Sequence, residues 1–136
     1  MKKSLKLFAL MAALVCVIGT ASMAAVTSVI IYTNNTSRDS TSIYCSSLID
    51  GFGVNDASST KGLYYTLRFE GTLGSTEAYS RLMQPGTGSM GPSEVSSWST
   101  LFTGKTVPSG NGNYFIRLNP QGALANGCYG AGKLVD

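Results

Sequence analysis

The chain has 136 residues, ten of them Lys or Arg and seven Asp or Glu, with three cysteines and no histidine. The missing histidine removes the commonest neutral-pH acid/base and the commonest metal ligand together. Ser-His-Asp and Cys-His catalysis are therefore excluded, and a zinc site would have to rest on carboxylates and cysteines alone.

Met1 to Lys6 is a short basic start, Leu7 to Ile18 an unbroken apolar run, and Gly19 to Ala24 a close rich in small residues. Ser22 and Ala24 suit the −3 and −1 subsites of a signal peptidase, so residues 1–24 are expected to be a cleaved signal peptide and residues 25–136 the mature domain. The apolar run falls short of the ~20 residues a spanning helix needs, so no stable membrane anchor is expected. Val15 is too large for the small residue that precedes a lipidated cysteine, which sets Cys16 aside. Lysines directly behind the initiator and so short a leader suit a bacterial protein that is secreted and extracellular.

Removing the leader changes the composition to be read. Lys2, Lys3 and Lys6 go with it, and the formal charge of +3 falls to about zero. No remaining stretch gathers base on one face, which argues against nucleic acid as a partner and against anionic membrane surfaces. Cys16 also goes, leaving Cys45 and Cys128. In an exported chain an even pair most simply means one disulfide. Closing so long a loop would contribute ~4–5 kcal/mol in the chain-entropy model. The alternatives are two free thiols or two bonds to neighbouring subunits.

The mature segment is long enough for one domain with one core and too short for two. Short β-branched and aromatic runs, separated by Gly, Asn, Pro and Ser clusters, point to an all-β fold: a small antiparallel β-sandwich or barrel. Val26 to Tyr32 reads as the first strand, and Asn34 to Ser37 as the turn after it. Ser42 to Leu48 reads as a second strand carrying Cys45, followed by a hairpin-type turn at Asp50-Gly51. Leu63 to Glu70 is the clearest strand, with Leu63, Tyr65, Leu67 and Phe69 on one face and Tyr64, Thr66, Arg68 and Glu70 on the other. It is expected to be a central core strand. Glu77 to Met83 reads as its partner, and Gln84 to Gly91 as a Gly/Pro loop. Over residues 93–102, Val95, Trp98 and Leu101/Phe102 fit one short helix opened by Pro92 and closed by Gly104. The run of Ser and Thr there opposes a helix and tips the reading toward a strand that groups Trp98 with Phe102. Tyr114 to Leu118 is the second clear strand, and Lys133 to Val135 is expected to close an edge.

Motifs for chemistry are sparse. Ser58-Ser59-Thr60-Lys61 has the S-x-x-K spacing, and Lys105-Thr106-Val107 echoes a K-T-G element. The tetrapeptide sits in a polar loop rather than at the start of a buried helix, so coincidence is the reading. Glu70 and Glu77 are the obvious carboxylate pair for glycoside cleavage, but Glu70 falls on the outer face beside Arg68, where solvated charge belongs. Asp50 to Asp56 is oxygen-rich yet lacks the ligand alternation of a calcium loop. The expectation is no enzyme, no metal and no cofactor.

Aromatic residues carry more signal. Tyr64 is expected to point outward, and Tyr44, Tyr79 and Trp98 are candidates to join it in a binding surface, because such rings pack on sugars or protein partners at low entropic cost. The general character of the chain is similar to small exported β-proteins of Gram-positive bacteria, the lactococcin-972-like bacteriocins among them. That similarity covers the leader, the size and the Gly/Tyr/Trp-rich β composition, and no motif transfers residue by residue. The expected function is a secreted, non-catalytic structural or interaction domain held by one disulfide, with a protein or cell-surface glycan as partner and an exposed edge open to self-association. The alternative is a secreted antagonist, a bacteriocin-like toxin or a hydrolase inhibitor presenting the loop from Gln84 to Pro92.

Overall fold

The computed structural model describes residues 24–136. The expected signal peptide lies outside the described residues, apart from Ala24.

Eleven strands make up the described chain, and no helix occurs among the described residues. In order they are β1 (Val26–Ile31), β2 (Arg38–Asp39), β3 (Ile43–Cys45), β4 (Leu48–Asn55), β5 (Leu63–Gly71), β6 (Gly74–Met83), β7 (Ser89–Gly91), β8 (Glu94–Ser97), β9 (Ser99–Thr106), β10 (Gly112–Pro120) and β11 (Gly130–Val135). All pairings are antiparallel. One sheet runs β1-β11-β4-β9, the other runs β2-β10-β5-β6 with β3 also on β10, and β7-β8 is a separate hairpin.

The two sheets face each other across one core, and their end strands do not pair with one another, so no closed barrel forms. Side chains bridge the two seams instead. Thr27 Oγ1 donates to the Thr41 carbonyl at 2.8 Å on one side, and an Arg81 guanidinium nitrogen donates to the Leu101 carbonyl at 3.3 Å on the other.

Side-chain size is divided unevenly between the facing sheets. The five-stranded sheet sends in Leu63, Tyr65 and Leu67 from β5 and Tyr114, Ile116 and Leu118 from β10, all fully buried. The opposing centre of the four-stranded sheet is built from Gly51 and Gly53 on β4 and Gly130 and Gly132 on β11, which pair as Gly51 with Leu134, Gly53 with Gly132, and Asn55 with Gly130. A Cβ at Gly132 would lie 3.1 Å from Ile116, 3.1 Å from Tyr65 and 3.2 Å from Leu118. Glycine here makes room for the large rings opposite. Tyr65 uses that room to reach across, its hydroxyl donating to the Lys133 carbonyl at 3.1 Å. A buried phenol needs such a partner.

Several expectations change. Asp50-Gly51 is not a turn: both residues lie within β4, because Asp50 pairs with Val135 on one side while its carboxylate accepts from Thr103 Oγ1 (3.0 Å) and the Gly104 amide (2.7 Å) on the other. The oxygen-rich stretch from Asp50 to Asp56 is thus a strand rather than a calcium loop. The strand carrying Lys133 to Val135 is central rather than an edge, flanked by β1 and β4. Residues 93–102 form no helix but two strands meeting at Trp98. Trp98 does not share a face with Phe102 either. An extra residue, Leu101, is inserted between Thr100, which pairs with Phe52, and Phe102, which pairs with Gly51. This bulge turns Phe102 into the core beside Leu101.

The expected disulfide is absent. Cys45 and Cys128 are both buried free thiols. Cys45 pairs with Gly112 at the start of β10, whereas Cys128 Sγ lies 3.3 Å from the Lys61 carbonyl and 3.5 Å from that of Gly62, beside the Leu63–Pro120 pair at the far end of β10. The length of β10 between them is roughly 26 Å at strand rise, and a disulfide needs Cα atoms within about 7 Å. Parity of cysteines gave no information on this separation. Burial, with Asp136 nearby, pushes the Cys45 thiol up to about 11, and burial raises that of Cys128 as well.

Candidate binding groove on the five-stranded sheet

Alternation along β5 places Tyr64, Thr66, Arg68 and Glu70 on the outer face of the five-stranded sheet, as their spacing predicts. The register then sets their neighbours. Tyr64 lies between Leu82 of β6 and Asn119 of β10, Thr66 between Ser80 and Arg117, and Arg68 between Glu77 and Phe115. Beyond Arg117 the row continues to Asp39 of β2. The outcome is a lattice of hydrogen-bonding side chains around one tyrosine ring.

Two loops raise walls at the Tyr64 end. Thr36 and Ser37 stand on one side, Gly122 and Leu124 on another, and the enclosed groove measures about 510 Å³. Leu124 is 91% exposed at φ 51°, a left-handed conformation that a non-glycine side chain adopts at a cost. Its side chain stands free at the rim.

The two arginines of the groove are held in place rather than loose. Arg117 forms a two-pronged ion pair with Asp39, Nε to Oδ1 at 2.8 Å and Nη2 to Oδ2 at 3.0 Å. The hydrogen bonds it donates to Asp39 hold its guanidinium charged beyond the usual range. Arg68, which lines the groove, donates from Nε to Ser75 Oγ at 3.0 Å and from Nη2 to the Ser75 carbonyl at 3.1 Å. Planar guanidinium groups fixed this way present donors at low entropic cost. Glu77 supplies an acceptor opposite Arg68, while Thr66, Ser80 and Asn119 supply groups that can donate or accept.

The other aromatic residues named from sequence lie elsewhere. Tyr44, 59% exposed, is on the same outer face but at the opposite end of the sheet, across from Asn113. Tyr79 opposes Leu67 on the inner face, where its ring meets Phe102 edge-on at 5.1 Å and Lys105 Nζ stands 5.0 Å from its centroid. The bulge at Ala78 in β6 is what turns it inward. Trp98, between β8 and β9, packs on the outer face of the other sheet, where Lys133 Nζ sits 4.8 Å from its ring and 4.8 Å from that of Phe52. Only Tyr64 of the four lines the groove.

The remaining sequence candidates are committed to structure. Ser58 Oγ donates to Asp56 Oδ2 at 2.6 Å, and Asp56 also accepts from the Ser58 amide and, through Oδ1, from the Met90 amide at 3.1 Å. These bonds hold the Asp56 carboxyl below the usual carboxylate range. Asp56 therefore ties the β7-β8 hairpin to the β4-β5 loop. Glu70 accepts from Ser42 Oγ at 2.7 Å. Asn55, which the sequence marks only as part of the oxygen-rich stretch from Asp50 to Asp56, is fully buried and joins three segments. Its Nδ2 donates to the carbonyls of Lys61 (3.0 Å) and Met83 (2.8 Å), and its backbone pairs with Thr87 and Gly86. That backbone anchorage pins the loop from Gln84 to Pro92 that sequence marked for presentation.

No helix among the described residues is long and apolar enough to cross a membrane. Among the described residues there is also no cluster of three His, Cys, Asp or Glu side chains that could hold a metal ion. In comparisons with protein families, curated proteins and solved structures, the chain matches no family model, no curated protein and no solved structure.

Proposed function

We propose that this chain is a secreted, non-catalytic interaction domain of bacterial origin that holds a neutral, hydroxyl-rich glycan in the groove around Tyr64. The observation that carries this reading is the surrounding of one half-exposed tyrosine ring by Thr66, Ser80, Asn119, Arg68 and Glu77. A sugar ring presents apolar C–H groups on one face and hydroxyls around its rim. Tyr64 supplies the flat apolar surface and the surrounding side chains supply paired donors and acceptors, which is the division of labour such ligands require. The charges in the groove balance, Arg117 with Asp39 and Arg68 opposite Glu77, which favours a neutral ligand over an anion. Export fits the same reading, since a cell-surface glycan is met outside the cell.

A glycan array probed with the wild-type chain and with Tyr64→Ala tests the proposal. Binding to a restricted set of glycans that Tyr64→Ala abolishes is the expected result. A flat array with folded protein contradicts it, and growth inhibition of bacteria by that same protein would move the assignment to the antagonist class.

A further inference from the structure

The four-stranded sheet ends in β1 on one side, and the bonding pattern of β1 indicates what can join it. The Asp136 amide donates to the Ala25 carbonyl at 2.9 Å, so these two residues form a hydrogen-bonded pair just beyond the β1-β11 register. In an antiparallel ladder such pairs alternate. Thr27, Val29 and Ile31 therefore direct their N–H and C=O groups toward β11, and Val26, Ser28 and Ile30 direct theirs outward. None of those outward groups has a hydrogen-bond partner among the described residues. At Tyr32 the pattern is capped: its amide donates to Asn35 Oδ1 at 3.0 Å, and its carbonyl accepts from the Asn35 amide at 2.9 Å. The open edge is thus three alternate residues long and closed at one end.

The other long edges are defended and β1 is not. β6 and β9 each carry a bulge, β6 bears Glu77 and Arg81, and β9 bears Lys105 and the kink at Gly104, where φ is 57°. β2 and β3 are only two and three residues long. Bulges, charges and short strands are the usual means of preventing edge-to-edge pairing. β1 pairs with β11 without any register shift and has the sequence VTSVII, free of charge and proline. An open groove of about 360 Å³ runs alongside it, lined by Ser28, Ile30 and Tyr32 on the β1 side and by Arg38, Asp39 and Thr41 on the other.

We infer that β1 is an interface for a second copy of this chain, joined by antiparallel pairing of β1 with its counterpart about a two-fold axis at Ser28. With the axis there, Val26 lies opposite the partner's Ile30 and Ser28 opposite the partner's Ser28. Every outward N–H and C=O of the three residues then finds a partner, about six hydrogen bonds in all. Moving the axis to Val29 would set Val26 against the Tyr32 groups that Asn35 already occupies. The Ser28 axis also brings Val26, 53% exposed, against Ile30 on the outer face and covers both. β1 itself carries no charge, and Arg38 and Asp39 in the groove beside it are of opposite sign, so the joined edges bring together no excess of one charge. The contact is small, which makes the pair concentration-dependent rather than permanent.

Light scattering behind sizing chromatography, from low micromolar to near-millimolar protein, tests the inference on the purified chain. The expected result is a monomer that becomes a dimer as concentration rises. Ser28→Pro removes one outward N–H without touching the β1-β11 ladder, since proline is tolerated on the open side of an edge strand. It is expected to weaken the dimer by about tenfold or more. Should that variant prove unfolded by circular dichroism, Ser28→Cys in the chain of residues 25–136 decides alone: under mild oxidation it is expected to cross-link into a dimer, because Cys45 and Cys128 are buried. A monomer at all concentrations, a dimer that a folded Ser28→Pro leaves intact, or failure of Ser28→Cys to cross-link overturns the assignment.

Discussion

The centres of the two sheets solve opposite packing problems. The five-stranded sheet contributes bulk, with Tyr65, Tyr114 and Ile116 pointing inward, and the four-stranded sheet contributes absence: Gly132 lies against Tyr65 and Ile116, Gly130 against Leu63, Gly53 against Met83, and Gly51 against Phe102 of its own sheet. The difference teaches where substitution is tolerated. On the bulky side a side chain can shrink and leave a cavity, whereas on the glycine side even one added carbon meets neighbours already in place.

The largest effect is therefore expected from Gly130→Ala. A Cβ at that position would meet the Val54 carbonyl oxygen, which is backbone and cannot step aside, as well as Leu63. The change is expected to cost about 3 kcal/mol or more, measured by chemical denaturation. Gly51→Ala is the contrasting case, because the three atoms nearest its Cβ all belong to the half-buried ring of Phe102 rather than to backbone. A smaller loss is expected there, and equal losses would mean that the glycines serve backbone conformation rather than room.

Asn55→Ala ranks next. It removes the amide donor from the carbonyls of Met83 and Lys61, the latter keeping only the Cys128 thiol, at an expected cost of roughly 1–3 kcal/mol, with residues 84–88 loosened in hydrogen exchange. A loss below 1 kcal/mol would show that the three segments hold together without it.

The thiols provide a smaller and pH-dependent effect. Cys45 titrates near 11 in the folded chain against 9.0 for the ordinary thiol. The unfolded chain thus releases its proton first, and the contribution of this group is complete below about pH 9 and lost as pH rises toward 11. Neutral-pH stability is expected to be indifferent to reductant, with both thiols titrating in denaturant. A mass two daltons below the thiol form would contradict this.

The smallest effect is expected on the outer face of the four-stranded sheet. Lys133→Gln removes the ammonium between Phe52 and Trp98 and is expected to cost ~0.5–1 kcal/mol.

What could be read from sequence follows the same division. Strict alternation made β5 and the centre of β10 plain, and it put Tyr64 on the outer face where the groove lies. The glycine-rich strands β4 and β11 were obscure because glycine carries no face: Asp50-Gly51 looks like a turn, and only the end of β11 from Lys133 is marked, until the neighbouring side chains that need the space are in place. Bulges hid the rest. One extra residue at Ala78 and another at Leu101 reversed the faces of Tyr79 and Phe102, and no local pattern announces where a strand inserts a residue. Cys45 and Cys128 could be counted but not located, since their separation depends on which end of β10 each one meets. The walls of the groove come from loops 36–37 and 122–124, whose approach to Tyr64 is set by topology rather than by their own residues.

Residue-resolved NMR during titration with a glycan selected from the array tests the groove around Tyr64 as the binding site. Chemical-shift changes should gather at Tyr64, Thr66, Arg68 and Asn119 and spare Trp98, Phe52 and Lys133 on the opposite sheet. Shifts centred on Trp98 and Lys133, with Tyr64 unmoved, would contradict the account.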